Sequence, residues 1–167
     1  MNRHSVASFI STRQAQPPNA QSVPESLEGR LEVNVIFTDP QATAAALKCA
    51  ESLAQDLGAV IRLRAGMVVP FPLPLDEPPV SVAFTERLLT DLASQLDADG
   101  FERTVDVYVC RDWQETLLQI LNPDSPVVIG GSKHWWPAPE NRLVKALRSK
   151  GRRVIVADCN RGLQPSL

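Results

Sequence analysis

"LEVNVIFTDPQATAAALKCAESLAQDLGAVIRLRAGMVV", residues 31–69, decides the fold class. Its first seven residues are rich in β-branched and apolar side chains and read as a buried strand. The run stops at Thr38-Asp39-Pro40. Asp39 is a good helix N-cap, and Pro40 suits the first helical position, where its missing N–H costs nothing. Ala46, Cys49/Ala50, Leu53/Ala54 and Leu57 then recur at helical spacing until Gly58 stops the helix. A second strand follows over residues 59–69. In it Arg62 and Arg64 fall on one side and Ile61, Leu63 and Ala65 on the other, so one face is expected to be only partly covered. Strand, helix and strand within 39 residues make a βαβ unit.

The alternation continues outward from this unit. "PFPLPLDEPP" (70–79) holds five prolines, which excludes a central strand or helix interior and leaves an ordered loop or flap. Ser81 opens a second helix, with Leu88/Leu89, Leu92/Ala93 and Leu96 inward. "TVDVYVC" (104–110) alternates strictly, with Val105, Val107 and Val109 on one face, as an edge strand does. Asp112 and Glu115 form an N-capping pair for a short helix through Leu121, broken by Asn122-Pro123. "PVVIGG" is apolar throughout and hence central. A last helix runs from Glu140 to Lys150, and "RVIVAD" (153–158) is a fifth strand. Strands alternating with helices of this length predict a parallel sheet with right-handed crossovers and helices on both faces. Ligands in such sheets bind beyond the carboxyl ends of the strands, where the strand order reverses.

Composition excludes several classes. At 167 residues, 44% hydrophobic and 22% charged, the chain suits one soluble domain, and no stretch has the ~20 continuous apolar residues of a membrane helix. The net charge of −2 does not suit nucleic acid as a partner. Charge is uneven, however. Residues 127–167 carry eight Lys/Arg against Glu140 and Asp158, while the remainder carries nine against seventeen. Lys145, Arg148 and Lys150 suit the C-terminal end of the last helix, where cations oppose its dipole. Cys49, Cys110 and Cys159 have neither C-x-x-C spacing nor an even count, which implies no metal site, no disulfide framework and a reducing cytoplasm. Residues 1–29, rich in Ser, Gln, Asn and Pro, read as a disordered arm rather than a targeting signal. Residues 30–159 make the domain, and 160–167 a flexible tail.

The sequence from about Leu31 to Asp158 resembles the universal stress protein family. The likeness rests on the aspartate that closes the first predicted strand before an alanine-rich helix, on "AVIRLRAGMVV", on "VVIGGS", and on the ending "LVKALRSKGRRVIVAD". It implies a three-layer doubly wound α/β sandwich with a five-stranded parallel sheet ordered 3-2-1-4-5. It also implies a homodimer paired through the last strand, Arg153 to Asp158. Nucleotide-binding members carry Gly-x-x-Gly after the fourth strand, about nine residues, then Gly-Ser or Gly-Thr. Here Gly130, Gly131 and Ser132 match only the beginning. "KHWWPAPENR" offers no further glycine, and Pro139-Glu140 stand near where the second pair would open the last helix. A proline donates no hydrogen bond, and a glutamate at a helix N-terminus satisfies the positive end itself.

By this resemblance Asp39, the backbone at Val68, Gly130, Gly131 and Ser132 are the candidate nucleotide-binding residues. Each has a plainer explanation, Asp39 as a helix cap and the glycines as a strand-ending turn. Trp135 and Trp136 cannot both face one core, so they are candidates for a contact surface. Ser132 with His134 lacks an orienting acid, and Cys110-Arg111-Asp112 reads as a small buried residue beside a helix cap, so no catalytic residue is assigned. The expectation is therefore a non-catalytic cytoplasmic regulatory module without a firm cofactor, acting through protein contacts. The alternative keeps ATP or AMP bound through an altered phosphate loop.

Overall fold

A computed structural model of the chain describes residues 9–14, 29–95, 102–131 and 139–158. Six strands and four helices follow in the order β1 (Phe9–Gln14), β2 (Glu32–Ile36), α1 (Pro40–Leu57), β3 (Val60–Val68), α2 (Val82–Ser94), β4 (Arg103–Cys110), α3 (Trp113–Ile120), β5 (Val127–Gly131), α4 (Pro139–Ser149) and β6 (Val154–Asp158). The sheet order is β1-β4-β3-β2-β5-β6, and every pairing is parallel. The five predicted strands are β2 to β6, and among themselves they keep the expected order 3-2-1-4-5.

The sixth strand corrects two expectations. Phe9–Gln14 lies in the arm read as disordered, yet it pairs along β4 from Phe9↔Thr104 to Gln14↔Val109. With β1 in place, β4 is an interior strand rather than an edge, and seven of its eight residues are buried. "FISTRQ" is too short and too polar to announce a strand by itself. What orders it is the open row of N–H and C=O groups that β4 would otherwise present to solvent.

Two apolar layers sandwich the sheet. Val33, Val35, Ile61, Leu63, Ala65, Val105 and Val107 form one face and pack against α1 and α2 through Ala46, Leu47, Ala50, Ala54, Leu89 and Leu92. Three alanines down one side of α1 let that helix sit close to the strands. On the opposite face, Ile36, Val127 and Ile129 meet Leu117 and Leu121 of the α3 region and Val144 and Leu147 of α4. Asp39 caps α1, its Oδ1 accepting from the Ala42 N–H at 2.9 Å, and Asp112 does the same for α3 through Glu115 N–H at 2.9 Å.

The arginine face of β3 is covered, contrary to expectation. Arg64 is only 5% exposed. Its Nε donates to Asn34 Oδ1 at 2.7 Å, Nη1 donates to the Tyr108 hydroxyl at 2.9 Å, and Nη2 approaches Glu32 at 3.4 Å. Arg62 pairs with Glu32 at 2.6 Å and with Asp106 at 3.6 Å. Two arginines and two carboxylates cancel in formal charge, which is what lets them leave water together.

Candidate functional site

A cleft of about 510 Å³ opens beyond the carboxyl end of β2. Its wall consists of Phe37, Thr38, Asp39, Trp113, Gln114, Glu140, Arg142 and Leu143. The location follows from the topology. β2 lies between β3 and β5, and the helices after β2 and β5 go to opposite faces, so a crevice is left where the connections diverge. The size falls within the roughly 300–1,000 Å³ usual for small-molecule sites. Three helices present their N-termini to it: α1 through Asp39, α3 through Trp113 and Gln114, and α4 through Glu140.

Of the residues singled out from sequence, Asp39 lines the cleft. Gly130 lies inside β5, under the first turn of α1. A Cβ at that position would collide with the Ala42 carbonyl group. The glycine is therefore required for the approach of helix to strand. Gly131 ends β5, and a Cβ there would stand 3.4 Å from Val156 and 3.8 Å from Glu140. Val68 is half exposed at the end of β3 and is not part of the cleft wall. Ser132, His134, Trp135 and Trp136 lie outside the described residues, as does the 160–167 tail.

Trp113 is the residue that sequence reasoning passed over. Its indole occupies the place a Cβ would take on Gly66, and it packs 6.0 Å from the Tyr108 ring at an interplanar angle of 33°. A glycine inside a strand is itself a sign that something approaches closely, so Gly66 was the available signal. Phe37, Arg142 and Leu143 carried no such mark.

The chemistry near the cleft is sparse. Cys110 is buried, and burial pushes its thiol up, with Asp112 adding to the effect and a hydrogen bond with Thr116 opposing it. A thiol held protonated is a poor nucleophile. Arg111 instead serves the proline-rich segment. It donates to the Val69 carbonyl at 2.8 Å and stacks 4.1 Å from the Phe71 ring, and no residue of 70–79 belongs to the cleft wall.

No family model and no curated protein matches the sequence. Solved structures do. A protein from the universal stress protein family of Burkholderia pseudomallei is 23% identical, with 80% of this chain and 98% of that chain covered and a TM-score of 0.52. The chain has the universal stress protein fold. A universal stress protein solved in complex with cAMP is 14% identical, with 78% of this chain and 98% of that chain covered, again at a TM-score of 0.52. Both matches span nearly all of the neighbour and leave about a fifth of this chain outside them. Within that fold the cleft beside Asp39 is the switch-point crevice.

Proposed function

We propose that the chain is a divergent universal stress protein that works as a non-catalytic regulatory module, through protein contacts and without tight binding of a triphosphate. One observation supports this most strongly. Each helix N-terminus around the cleft already carries its own carboxylate: Asp39 on α1, Asp112 on α3 and Glu140 on α4. Positive helix ends favour phosphate only while their N–H groups and dipoles are free. Here Asp39 and Asp112 accept those N–H groups, and Gly130 is committed to seating α1. Calorimetry with ATP and magnesium is expected to give no saturable binding tighter than about 1 mM. A micromolar dissociation constant would overturn the proposal.

The partner surface we favour is β6, paired with a second copy. No described strand lies beyond it, its residues Val154 to Ala157 are apolar, and Val156 is 43% exposed. An edge of that kind invites pairing. Light scattering on the order of tens of micromolar should give twice the 18.3 kDa chain mass, and Val156→Lys should return the monomer. A monomer for the unmodified chain would count against this. Phe71 and Phe84, 81% and 63% exposed, are further candidates for partner contact alongside Trp135 and Trp136.

The second reading, that ATP or AMP binds in an altered pose, draws support from the neighbour solved with cAMP and from Asp39 in the cleft wall. The same calorimetry separates the two.

A further inference from the structure

We infer that a second cleft, at the amino ends of the strands, takes an aliphatic monocarboxylate, its headgroup on an arginine cluster and its hydrocarbon chain on a leucine-lined wall. This cleft lies at the opposite end of the sheet from Asp39, so the assignment stands apart from the reading of the switch-point crevice. Its volume is about 770 Å³, within the roughly 300–1,000 Å³ usual for small-molecule sites. The last turn of α1 (Asp56, Leu57), the residues entering β2, β5 and β6 (Leu31, Pro126, Arg153) and the end of α4 (Arg148) meet there. Gly151, with φ at 77°, turns the chain sharply after α4 and returns Arg152 and Arg153 to the cleft that Arg148 lines. Part of the positive excess of residues 127–167 is thereby gathered at one place.

These cations are fixed but not used up. Arg148 Nη2 donates to the Val154 carbonyl at 2.9 Å, Arg152 Nη2 to the Leu118 carbonyl at 3.0 Å, and Arg153 Nη2 to the Asp124 carbonyl. Each bond spends one N–H of a guanidinium that carries several. Among the described residues none of the three is in an ion pair, and Arg152 Nε is shut off from solvent without a hydrogen-bond partner. Positioned guanidinium groups suit a planar carboxylate, which they grip through paired N–H donors. Asp56 and Asp124 also line the cleft, so its wall carries a formal charge of +1. That balance accepts a single negative charge, whereas a second one meets the aspartates. The apolar wall sets the body of the ligand. Leu31, Leu53, Leu57, Pro126 and Ile155 are aliphatic, and no aromatic side chain is among the described lining residues. Leu31 and Leu57 are 53% and 45% exposed. A hydrocarbon chain laid on them removes that surface from water, while a ring finds no stacking partner.

Octanoate, butyrate, octanol and octanedioate vary chain and charge separately, which makes them suitable probes. The full chain is titrated with each by calorimetry, and backbone amide shifts in an isotope-labelled sample locate the site. Octanoate is expected to bind with a dissociation constant below about 1 mM, and each of the other three at least about tenfold more weakly. Arg148→Gln should weaken octanoate about fivefold or more and leave octanol unchanged. Asp56→Asn should tighten octanoate about twofold or more by removing an opposing charge, a gain that disturbed folding would not produce. Both side chains are exposed, so neither change opens the core. No saturable octanoate binding up to about 10 mM would sink the assignment alone and leave the regulatory reading standing. Octanol or octanedioate binding as tightly as octanoate would sink it too. So would amide shifts at Asp39 and Trp113 in place of Leu57, Arg152 and Ile155.

Discussion

Replacing Gly130 with alanine is expected to lower the unfolding midpoint of this protein on the order of 10 °C, with no ligand present. The added methyl has nowhere to go. Its place is taken by the carbonyl of Ala42 in the first turn of α1, and that turn is fixed by the Asp39 cap below it and the alanine-lined face behind it. Backbone cannot rotate away as a side chain can, so the cost belongs at the upper end of overpacking, about 3 kcal/mol. Thermal circular dichroism checks this directly, and a midpoint within a degree or two of the parent would mean that α1 is not seated on β5 as described. The result bears on function. A Gly130 variant that fails to bind a nucleotide would ordinarily be credited to a lost phosphate contact, whereas here the same loss follows from displacing α1 and, with it, Asp39 from the cleft wall.

The second large effect is expected at Arg64. Substitution by methionine keeps the volume and removes the charge, which leaves Glu32 and Asp106 with Arg62 as the sole cation of the group. Asn34 Oδ1 and the Tyr108 hydroxyl lose a donor in the same step. Breaking a buried ion pair from one side costs roughly 3–5 kcal/mol, because the remaining charge stays buried without compensation. Denaturant unfolding of Arg64→Met should show a loss in that range. Arg64→Met combined with Glu32→Gln restores charge balance and should recover about half of it, as the coupling between neighbours requires. A loss below about 1 kcal/mol in the single variant would show that the network is not what holds β2, β3 and β4 together on that face. Balanced burial also explains how a strand with two arginines can lie in the interior of a sheet.

Much of the fold was legible because its signals are local. The helix formers between Asp39 and Gly58, the β-branched runs at 31–37 and 59–69, the capping pair at Asp112 and Glu115 and the proline-rich break at 70–79 each report on their own backbone. They place α1, α3, α4 and β2 to β6 to within a residue or two of the observed bounds, and the start of α2 likewise, whereas α2 runs only to Ser94 and not to the expected end near Asp99-Gly100. The aspartate that ends β2 also marked one wall of the cleft. Glu140 was marked too, at the start of the last helix, but the rest of that wall was not legible, since Trp113, Arg142 and Leu143 come from two helices and meet only when α3 and α4 dock on the same face.

By itself, then, the sequence determined the alternation of strands and helices, which local periodicity and turn chemistry carry residue by residue. The order of β2 to β6 came to it only through the resemblance to the universal stress protein family. Only the tertiary structure decided that Phe9–Gln14 completes the sheet, that Arg62 and Arg64 are buried and paired, that Gly130 is spent on seating α1, and that Trp113 walls the cleft. Each of these depends on the free energy of one element against a distant one: an unpaired strand edge, a charge needing its counter-charge, a carbonyl in the way of a methyl. No stretch of chain contains its own partner.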